Sequence, residues 1–145
     1  MEVIIFCGIQ GSGKSTFYKE RFFKTHVRIS LDLLKTRHRE NMFLQTCFAL
    51  YQPFVVDNTN ATRRERHKYI EKAKAYRFKL KGYYFSTNIS EALERNKGRA
   101  GKENIPVAVI ITTHKKLELP TYEEGFDNLY EVAIINGDFV IKDIE

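Results

Sequence analysis

The stretch Gly8-Ile9-Gln10-Gly11-Ser12-Gly13-Lys14-Ser15 fills every fixed position of the pattern G-x-x-x-x-G-K-[ST]. It follows the apolar run Val3-Ile4-Ile5-Phe6, which predicts a buried strand, and it leads into an amphipathic stretch. Glycines let the backbone turn several N–H groups toward one anion, and the N-terminus of the next helix adds positive potential. The sequence therefore predicts a phosphate-binding loop.

The loop also predicts the cofactors, which are ATP and Mg²⁺. Lys14 is expected to reach the β- and γ-phosphates, and the Ser15 hydroxyl is expected to bind Mg²⁺. The residues predicted to bind ATP here are Gly8, Gln10, Gly11, Ser12, Gly13, Lys14, Ser15 and Thr16.

The length of 145 residues suits one domain spanning 1–145. Cys7 and Cys47 are interpreted as small buried hydrophobic residues of a reducing compartment. The chain has no signal-peptide pattern and no apolar run near the roughly 18 residues of a membrane span. We expect a soluble cytoplasmic protein with no membrane contact and no evident obligate protein partner.

A formal net charge of +6 accompanies clusters of basic residues at 63–68, 95–102 and 114–116. Polyanionic partners are one interpretation of these clusters. Solvated helix faces, together with the demand of ATP phosphates, are the other. Each histidine is isolated, so none has metal-ligand spacing.

Short apolar runs alternate with helical patterns, which predicts a parallel sheet with helices on both faces. Predicted strands are Val3–Cys7, His26–Ile29, Phe54–Asp57, Phe78–Phe85 and Glu131–Ile135. Asn136-Gly137 predicts a hairpin and an antiparallel edge strand after it. Predicted core stripes of helices are Phe43, Leu44, Cys47 and Phe48, and then Tyr69, Ile70, Ala73 and Tyr76.

Three helix starts are marked by local sequence. Thr62 with Glu65, and Asn88 with Glu91, have the spacing of capping boxes, and Pro106 suits a first helical position.

Polar residues that directly follow strands are the first candidates for chemistry, because ligands bind at the carboxyl ends of parallel strands. Asp57 follows the third strand and has the form of a Walker-B acid. Such an acid would orient a water on magnesium or bond to Ser15. The alternative is that Asp57-Asn58-Thr59-Asn60 only forms a turn. Asp32 follows the second strand and is either a general base for an attacking hydroxyl or the N-cap of the next helix.

The segment Arg95–Asn104 combines two glycines with basic side chains between two predicted helices. It has the composition of a lid, approximately 96–105, that folds over ATP and lends an arginine to the transferring phosphate. An exposed basic loop with no task is the alternative.

Taken in order, these motifs resemble the kinase domain of 5′-hydroxyl polynucleotide kinases, such as the phage enzyme and the kinase half of the mammalian polynucleotide kinase-phosphatase. The narrower signals are D-x-T-N at 57–60, R-N-x-x-R at 95–99 and P-x-x-x-E-G-F at 120–126. The resemblance covers nearly the whole chain. It implies a five-stranded parallel sheet of order 2-3-1-4-5 in a three-layer P-loop kinase fold.

The resemblance also implies site residues. Asp32 is expected to act as the catalytic base, and Lys14 and Arg99 are the other expected catalytic residues. Arg95 and Arg99 are also expected to bind ATP. Magnesium would be held by Ser15 and, through water, by Asp57. Residues expected to line the acceptor site are Lys35, Arg37, Thr59, Asn60 and Arg63.

The chain departs from the family beside Asp32. Lys35 stands where the family often has an arginine for the 3′ phosphate of the acceptor, and Leu31 stands where the phage enzyme has an arginine. A lysine offers a point charge but no bidentate fork. The predicted function is ATP- and magnesium-dependent phosphorylation of 5′-hydroxyl ends of DNA or RNA, as in nucleic-acid repair. The alternatives are a kinase of a nucleoside, sugar or antibiotic, and a non-catalytic, ATP-switched nucleic-acid-binding module.

Overall fold

A computed structural model describes residues 1–101 and 104–145. It shows one six-stranded sheet of order β2-β3-β1-β4-β5-β6. The strands are β1 Glu2–Cys7, β2 Val27–Ile29, β3 Phe54–Val56, β4 Lys79–Phe85, β5 Asn128–Ile135 and β6 Asp138–Asp143. The helices are α1 Lys14–Arg21, α2 Leu31–Leu34, α3 Arg37–Ala49, α4 Arg63–Ala75, α5 Ile89–Lys97 and α6 Val107–Lys116, with a 3₁₀ turn at Tyr122–Glu124.

The predicted fold is confirmed. Strands β1 to β5 are parallel, and β6 pairs antiparallel with β5. The hairpin before β6 turns at Asn136 and Gly137, which have φ of 52° and 80°. A positive φ at both central residues is what a two-residue hairpin turn requires.

The core divides between the two faces of the sheet because successive side chains of a strand point to opposite sides. Ile5, Ile29 and Val56 belong to the cluster that α3 and α4 cover. Ile4 and Val55 belong to the cluster that α1 covers. The central strands are thus apolar on both faces, as expected for parallel strands beneath two helix layers.

Some local predictions were wrong. Strand β5 begins at Asn128 rather than Glu131, because its pairing with β4 starts there. Phe43 and Tyr76 lie at the edges of their helical stripes and are each 47% exposed, although Tyr76 stacks on Phe48 with ring centroids 4.7 Å apart. Helix α6 begins at Val107, so Pro106 is its N-cap rather than its first residue.

The helix starts at Thr62 and Asn88 are confirmed, since each side chain accepts a hydrogen bond from the backbone N–H three residues later. Cys7 and Cys47 are both buried free thiols. Within residues 1–101 and 104–145, every helix is too short or too polar to cross a membrane.

Candidate active site

The phosphate-binding loop joins β1 to α1 at the carboxyl edge of the sheet. Its tight curve depends on Gly11, which has φ of 79°. A Cβ atom there would lie 2.7 Å from the backbone oxygen of Ala92, closer than atoms can approach. The base of the loop is fixed by a hydrogen bond of 3.0 Å from Gly8 N to Thr59 O.

Lys14 lies back across this loop. Its Nζ donates to the carbonyls of Gly8 at 2.9 Å and Ile9 at 2.8 Å. Burial lowers the pKa of Lys14 to about 8, against the opposing charge of Asp57. A desolvated ammonium that holds only backbone carbonyls is available to an anion, because a phosphate offers it a full countercharge.

The charges of Arg99 and Asp32 also act on the pKa of Lys14, Arg99 lowering it and Asp32 raising it. Asp32 follows β2 and Lys14 follows β1, so both lie at the carboxyl edge of the parallel sheet, and Arg99 follows α5, which Arg95 ties to Gly11 of the loop.

Two polar atoms in the loop are buried without a hydrogen-bond partner in the part of the chain that the structure describes. They are Ser12 Oγ and Gln10 Oε1. The Gln10 amide nitrogen is used, since it donates to Thr113 Oγ1 of α6 at 3.2 Å. Buried hydroxyls are nearly always paired, so the Ser12 hydroxyl is well placed to donate to a phosphate oxygen.

Ser15 and Asp57 form the second part of the site. Ser15 Oγ donates to Asp57 Oδ2 at 3.1 Å, as the sequence predicted. The Asp57 side chain is 2% exposed at the end of β3. A hydroxyl and a carboxylate are oxygen ligands that suit Mg²⁺, which takes one or two protein ligands and completes its shell with phosphate and water.

Arg28 joins this pair and was missed by sequence analysis. Its Nε donates to Asp57 Oδ2 at 2.8 Å, and its Nη2 donates to Ser15 Oγ at 3.1 Å. Strand alternation indicates the face on which Arg28 lies. Arg28 pairs with Val55, so its side chain is on the α1 face of the sheet, which residues 55 and 57 share. A charged residue at the centre of a three-residue strand should have been interpreted as part of the site.

Asp32 lies at the second position of α2 and is exposed. The N-cap of α2 is Ser30, so the N-cap alternative for Asp32 was wrong. Its carboxylate has no side-chain partner among the described residues, and only its backbone oxygen is used, by Lys35 Nζ at 2.5 Å. An unpaired carboxylate at a ligand-binding edge is free to accept a hydroxyl proton.

A buried network fixes the backbone next to Asp32. Asn58 Oδ1 accepts a hydrogen bond of 2.9 Å from Leu31 N, and Asn58 Nδ2 donates to Glu40 Oε2 at 3.2 Å. Glu40 is completely buried in α3 and also accepts from Lys68 Nζ at 2.6 Å and Tyr69 OH at 3.0 Å. Sequence analysis missed Glu40 and gave Asn58 no role beyond a turn.

The hydrogen bonds to the Glu40 carboxylate determine its charge state. Burial raises the pKa of Glu40, but hydrogen bonds from Lys68, Tyr69 and Arg37 outweigh it, and the pKa is lowered. Glu40 is thus an ionised acceptor whose oxygens are fully used, which makes the segment before Asp32 rigid.

The predicted acceptor residues are placed unevenly. Asn60 was wrongly assigned to the acceptor channel: it is 3% exposed, and its Nδ2 donates to Phe6 O at 2.7 Å. It ties the chain after β3 to β1 because a buried amide must be paired. Thr59 is half-buried under the loop, and Arg37 Nη1 is engaged by Glu40 at 3.0 Å and Tyr69 OH at 3.1 Å.

Arg63 is exposed, but it lines a small pocket with His67, Ile70, Glu123 and Glu124. That pocket lies on the side of α4 that meets the 3₁₀ turn. Arg64 is four residues before Lys68, which binds Glu40, so Arg64 lies on the α3 side of α4. Of the two arginines, Arg64 is therefore the one on the side of α3, which packs against α2, the helix that carries Asp32. We call the phosphate-binding loop with Ser15 and Asp57 the donor half of the site, and Asp32 with α2, α3 and the first turn of α4 the acceptor half.

The predicted lid, 96–105, is anchored at both ends, although residues 102–103 lie outside the described residues. Arg95 Nη1 donates to Gly11 O at 3.1 Å, which ties α5 to the phosphate-binding loop. Asn96 Nδ2 donates to Ile105 O at 2.6 Å, and Asn96 Oδ1 accepts from Ile105 N at 2.8 Å. Arg99 is half-buried between these anchors, and Thr16 is exposed on the first turn of α1.

Among the described residues, no group of three or more His, Cys, Asp or Glu side chains is arranged to hold a metal ion. Ser15 and Asp57 fit Mg²⁺ only if the nucleotide supplies further oxygens. This is the way Mg²⁺ is bound in nucleotide sites, through few protein ligands and substrate phosphates.

Residues 36–120, more than half of the chain, match the family model described as an AAA domain. The chain belongs to the AAA domain family. The matched range includes Asn58, Arg95, Asn96 and Arg99, and it begins after the phosphate-binding loop.

This AAA domain is 25% identical, over 90% of its length, to the bifunctional polynucleotide phosphatase/kinase of Schizosaccharomyces pombe. The chain spans about a third of that relative, with 33% covered. The resemblance to polynucleotide kinases that the motifs predicted is thus confirmed.

Solved structures share the P-loop kinase fold. A gluconokinase from Sinorhizobium meliloti has a TM-score of 0.63 at 21% identity, covering 91% of this chain and 82% of the gluconokinase. Chaetomium thermophilum Kti12, in a complex with ADP-AlF3, has a TM-score of 0.63 at 18% identity, covering 90% and 88% of the two chains.

Proposed function

We propose that the protein is an ATP- and Mg²⁺-dependent phosphotransferase that moves the γ-phosphate to the 5′-hydroxyl end of DNA or RNA. The observation that carries the proposal is the Asp32 carboxylate, which has no side-chain partner among the described residues and follows β2 at the same carboxyl edge of the sheet as the phosphate-binding loop. Similarity to the S. pombe phosphatase/kinase supports the choice of acceptor.

In this proposal the loop amides and the Ser12 hydroxyl bind the phosphates, and Lys14 and Arg99 offset charge on the transferring group. Asp32 accepts the proton of the 5′-hydroxyl as its oxygen attacks the γ-phosphorus. Ser15 and Asp57 would hold Mg²⁺, which neutralises phosphate charge when bound. Alignment of the two substrates supplies a large share of the rate.

Few cations near Asp32 are free to bind phosphates of the acceptor, so we expect few phosphate contacts there. Lys35 has φ of 74° and bonds to the Asp32 backbone, and Arg37 is held by Glu40. Arg64 and Lys72, each four residues from Lys68, both lie on the α3 side of α4 without a side-chain partner among the described residues, and Arg64 is the one in the first turn of the helix. A role in nucleic-acid repair and a cytoplasmic location belong to this proposal.

The test is an acceptor screen with γ-labelled ATP. Oligonucleotides of one sequence are compared as DNA and RNA, each with a 5′-hydroxyl or a 5′-phosphate, beside nucleosides and sugars. We expect label only on 5′-hydroxyl ends, with transfer that weakens as salt rises. Label on a small molecule alone would assign a metabolite kinase, and ATP hydrolysis without any labelled product would assign an ATP-switched binding module.

A further inference from the structure

Arg28 contacts both residues that the proposed function assigns to Mg²⁺. Its Nε lies 2.8 Å from Asp57 Oδ2, and its Nη2 lies 3.1 Å from Ser15 Oγ. With the bond of 3.1 Å between Ser15 and Asp57, the three side chains form a closed triangle. A guanidinium therefore bridges the two oxygens around which a magnesium site would be built.

The Ser15 hydroxyl oxygen cannot bind Mg²⁺ and the Arg28 guanidinium at the same time in this arrangement. Its one hydrogen points to Asp57, and one of its lone pairs accepts from Arg28 Nη2. Mg²⁺ binds oxygen at about 2.0–2.1 Å and demands near-octahedral geometry. A guanidinium on the same oxygen would leave two cations about 4 Å apart or closer, where their repulsion is strong in a partly buried site.

Asp57 explains why a cation lies here. Its side chain is 2% exposed, whereas that of Arg28 is 28% exposed. A carboxylate so nearly buried needs a countercharge at all times, because an isolated buried charge is costly. Arg28 supplies it from β2, the edge strand of the sheet.

We propose that Arg28 fills the metal site as a tethered cation in the absence of metal, and that Mg²⁺ arriving with nucleotide displaces its Nη2 from Ser15. The Asp57 carboxylate is then neutralised in both states. Arg28, whose side chain is 28% exposed on the edge strand, would then turn toward solvent. Arg28 thereby lowers the affinity for metal, so that metal binding depends on the phosphate oxygens of the nucleotide.

This inference rests on the metal part of the proposed function and not on the acceptor. Its test measures binding of Mn²⁺, a paramagnetic substitute for Mg²⁺, to the ADP-saturated protein by electron paramagnetic resonance. The variants are Arg28→Met, which removes charge and hydrogen bonds, and Arg28→Lys, which keeps the charge. The control is Lys142→Met on β6, at the opposite edge of the sheet.

We expect Arg28→Met to bind Mn²⁺ about tenfold more tightly than the parent, the scale of one hydrogen bond to a charged group. Arg28→Lys and Lys142→Met should stay within about twofold, since each leaves a cation beside Asp57. Added Mn²⁺ and ADP should also raise the melting temperature of Arg28→Met more than that of the parent.

Equal or weaker Mn²⁺ binding by Arg28→Met would overturn the proposal and make Arg28 a support for the metal ligands. If Arg28→Met does not fold, Arg28→Gln removes the charge with a polar side chain and is judged by the same criterion. No acceptor is present in this experiment. Failure to phosphorylate 5′-hydroxyl ends would therefore leave its result standing, and the reverse also holds.

Discussion

The two halves of the cleft differ in how many of their polar groups are already paired. In the donor half, Lys14 makes two hydrogen bonds to loop carbonyls, and Ser15 and Asp57 are joined by Arg28. In the acceptor half, the Asp32 carboxylate and the Arg64 guanidinium have no side-chain partner within the described parts of the chain. The donor half is organised in advance of its ligand, whereas the acceptor half leaves one carboxylate and one guanidinium free although Lys35 and Arg37 are engaged.

This difference has a chemical reason. A triphosphate is bound by many donors in a fixed curve, and such a site works best when the curve exists beforehand. The acceptor half needs one unpaired base and a cation, whose interactions form only when the hydroxyl arrives. Asn58 and Glu40 hold the backbone next to Asp32 in place and so make this half rigid.

The largest expected effect concerns a support that both halves share. Arg66 of α4 is completely buried, forms an ion pair of 2.7 Å with Glu124, and donates to Asn60 O at 2.8 Å. Arg66→Met should lower the free energy of unfolding by about 3–5 kcal/mol, because it leaves a buried carboxylate unpaired. Urea unfolding measures this loss.

The matched control is Lys74→Met, which breaks a half-exposed ion pair of 3.5 Å between α4 and Asp127. It should cost at most about 1 kcal/mol. Losses of equal size in the two variants would show that Arg66 is no common support.

The next effect separates the halves. Asn58→Ala removes the acceptor for Leu31 N and a donor to Glu40, so the backbone next to Asp32 loses its anchor. We expect kcat to fall about tenfold to a hundredfold while KM for ATP stays within about twofold. The control is Asn41→Ala, because no hydrogen bond of the Asn41 amide is found among the described residues.

Steady-state kinetics with saturating 5′-hydroxyl acceptor measure both constants. A matching rise in KM for ATP would contradict the separation of the two halves.

Those two predictions show what sequence could and could not provide. The donor half was predictable because its geometry depends on residues that are close together in sequence. The φ of 79° at position 11 requires glycine, and Lys14 and Ser15 follow at fixed spacing. Asn58 and Leu31 meet across two parallel strands, 27 residues apart, so no local pattern records their contact. Arg28 is intermediate, since strand alternation predicts its face but not its partners.

Asn60 shows the opposite error. It stands in a motif that resembles a polynucleotide kinase signature, yet its amide is buried against Phe6 O. A motif residue can be retained for the packing of the strand ends beneath a site, and only coordinates distinguish that role from contact with the acceptor.

A smaller effect concerns pH in the donor half. Burial lowers the pKa of Lys14 from 10.5 to about 8, so in the free protein the ammonium is lost as pH rises through 8. ADP affinity should therefore fall above about pH 8, by at most about tenfold per pH unit, because bound phosphate restores the proton. Lys14→Met should show no such fall, and calorimetric titration from pH 7 to 9.5 measures it.

The effect on stability has the opposite sign. Between about pH 8 and 10.5 the unfolded chain binds the proton that folded Lys14 has lost, so Lys14 adds stability as pH rises. Below pH 8 both states are protonated, and the contribution of Lys14 no longer changes. An ADP affinity in the parent that is flat to pH 9.5 would contradict the assignment.

The smallest effect tests the cation of the acceptor half. Arg64→Ala should weaken binding of a 5′-hydroxyl oligonucleotide a few-fold and reduce the slope of log affinity against log salt by roughly 0.7 for single strands. Arg63→Ala is the neighbouring control, since Arg63 lines the pocket beside Glu123. Fluorescence anisotropy across a salt series compares them, and a larger change from Arg63→Ala would reverse the assignment.

In the proposed reaction, the free carboxylate of Asp32 takes the proton of the acceptor hydroxyl beside the bound triphosphate. The most direct measurement is the rate of 5′ labelling by Asp32→Asn, with ADP affinity measured on the same preparation and Asp138→Asn of β6 as control. We expect labelling by Asp32→Asn to fall about 10²–10⁴-fold, with ADP affinity unchanged and with labelling by Asp138→Asn at the rate of the parent. Labelling by Asp32→Asn at the rate of the parent would contradict it.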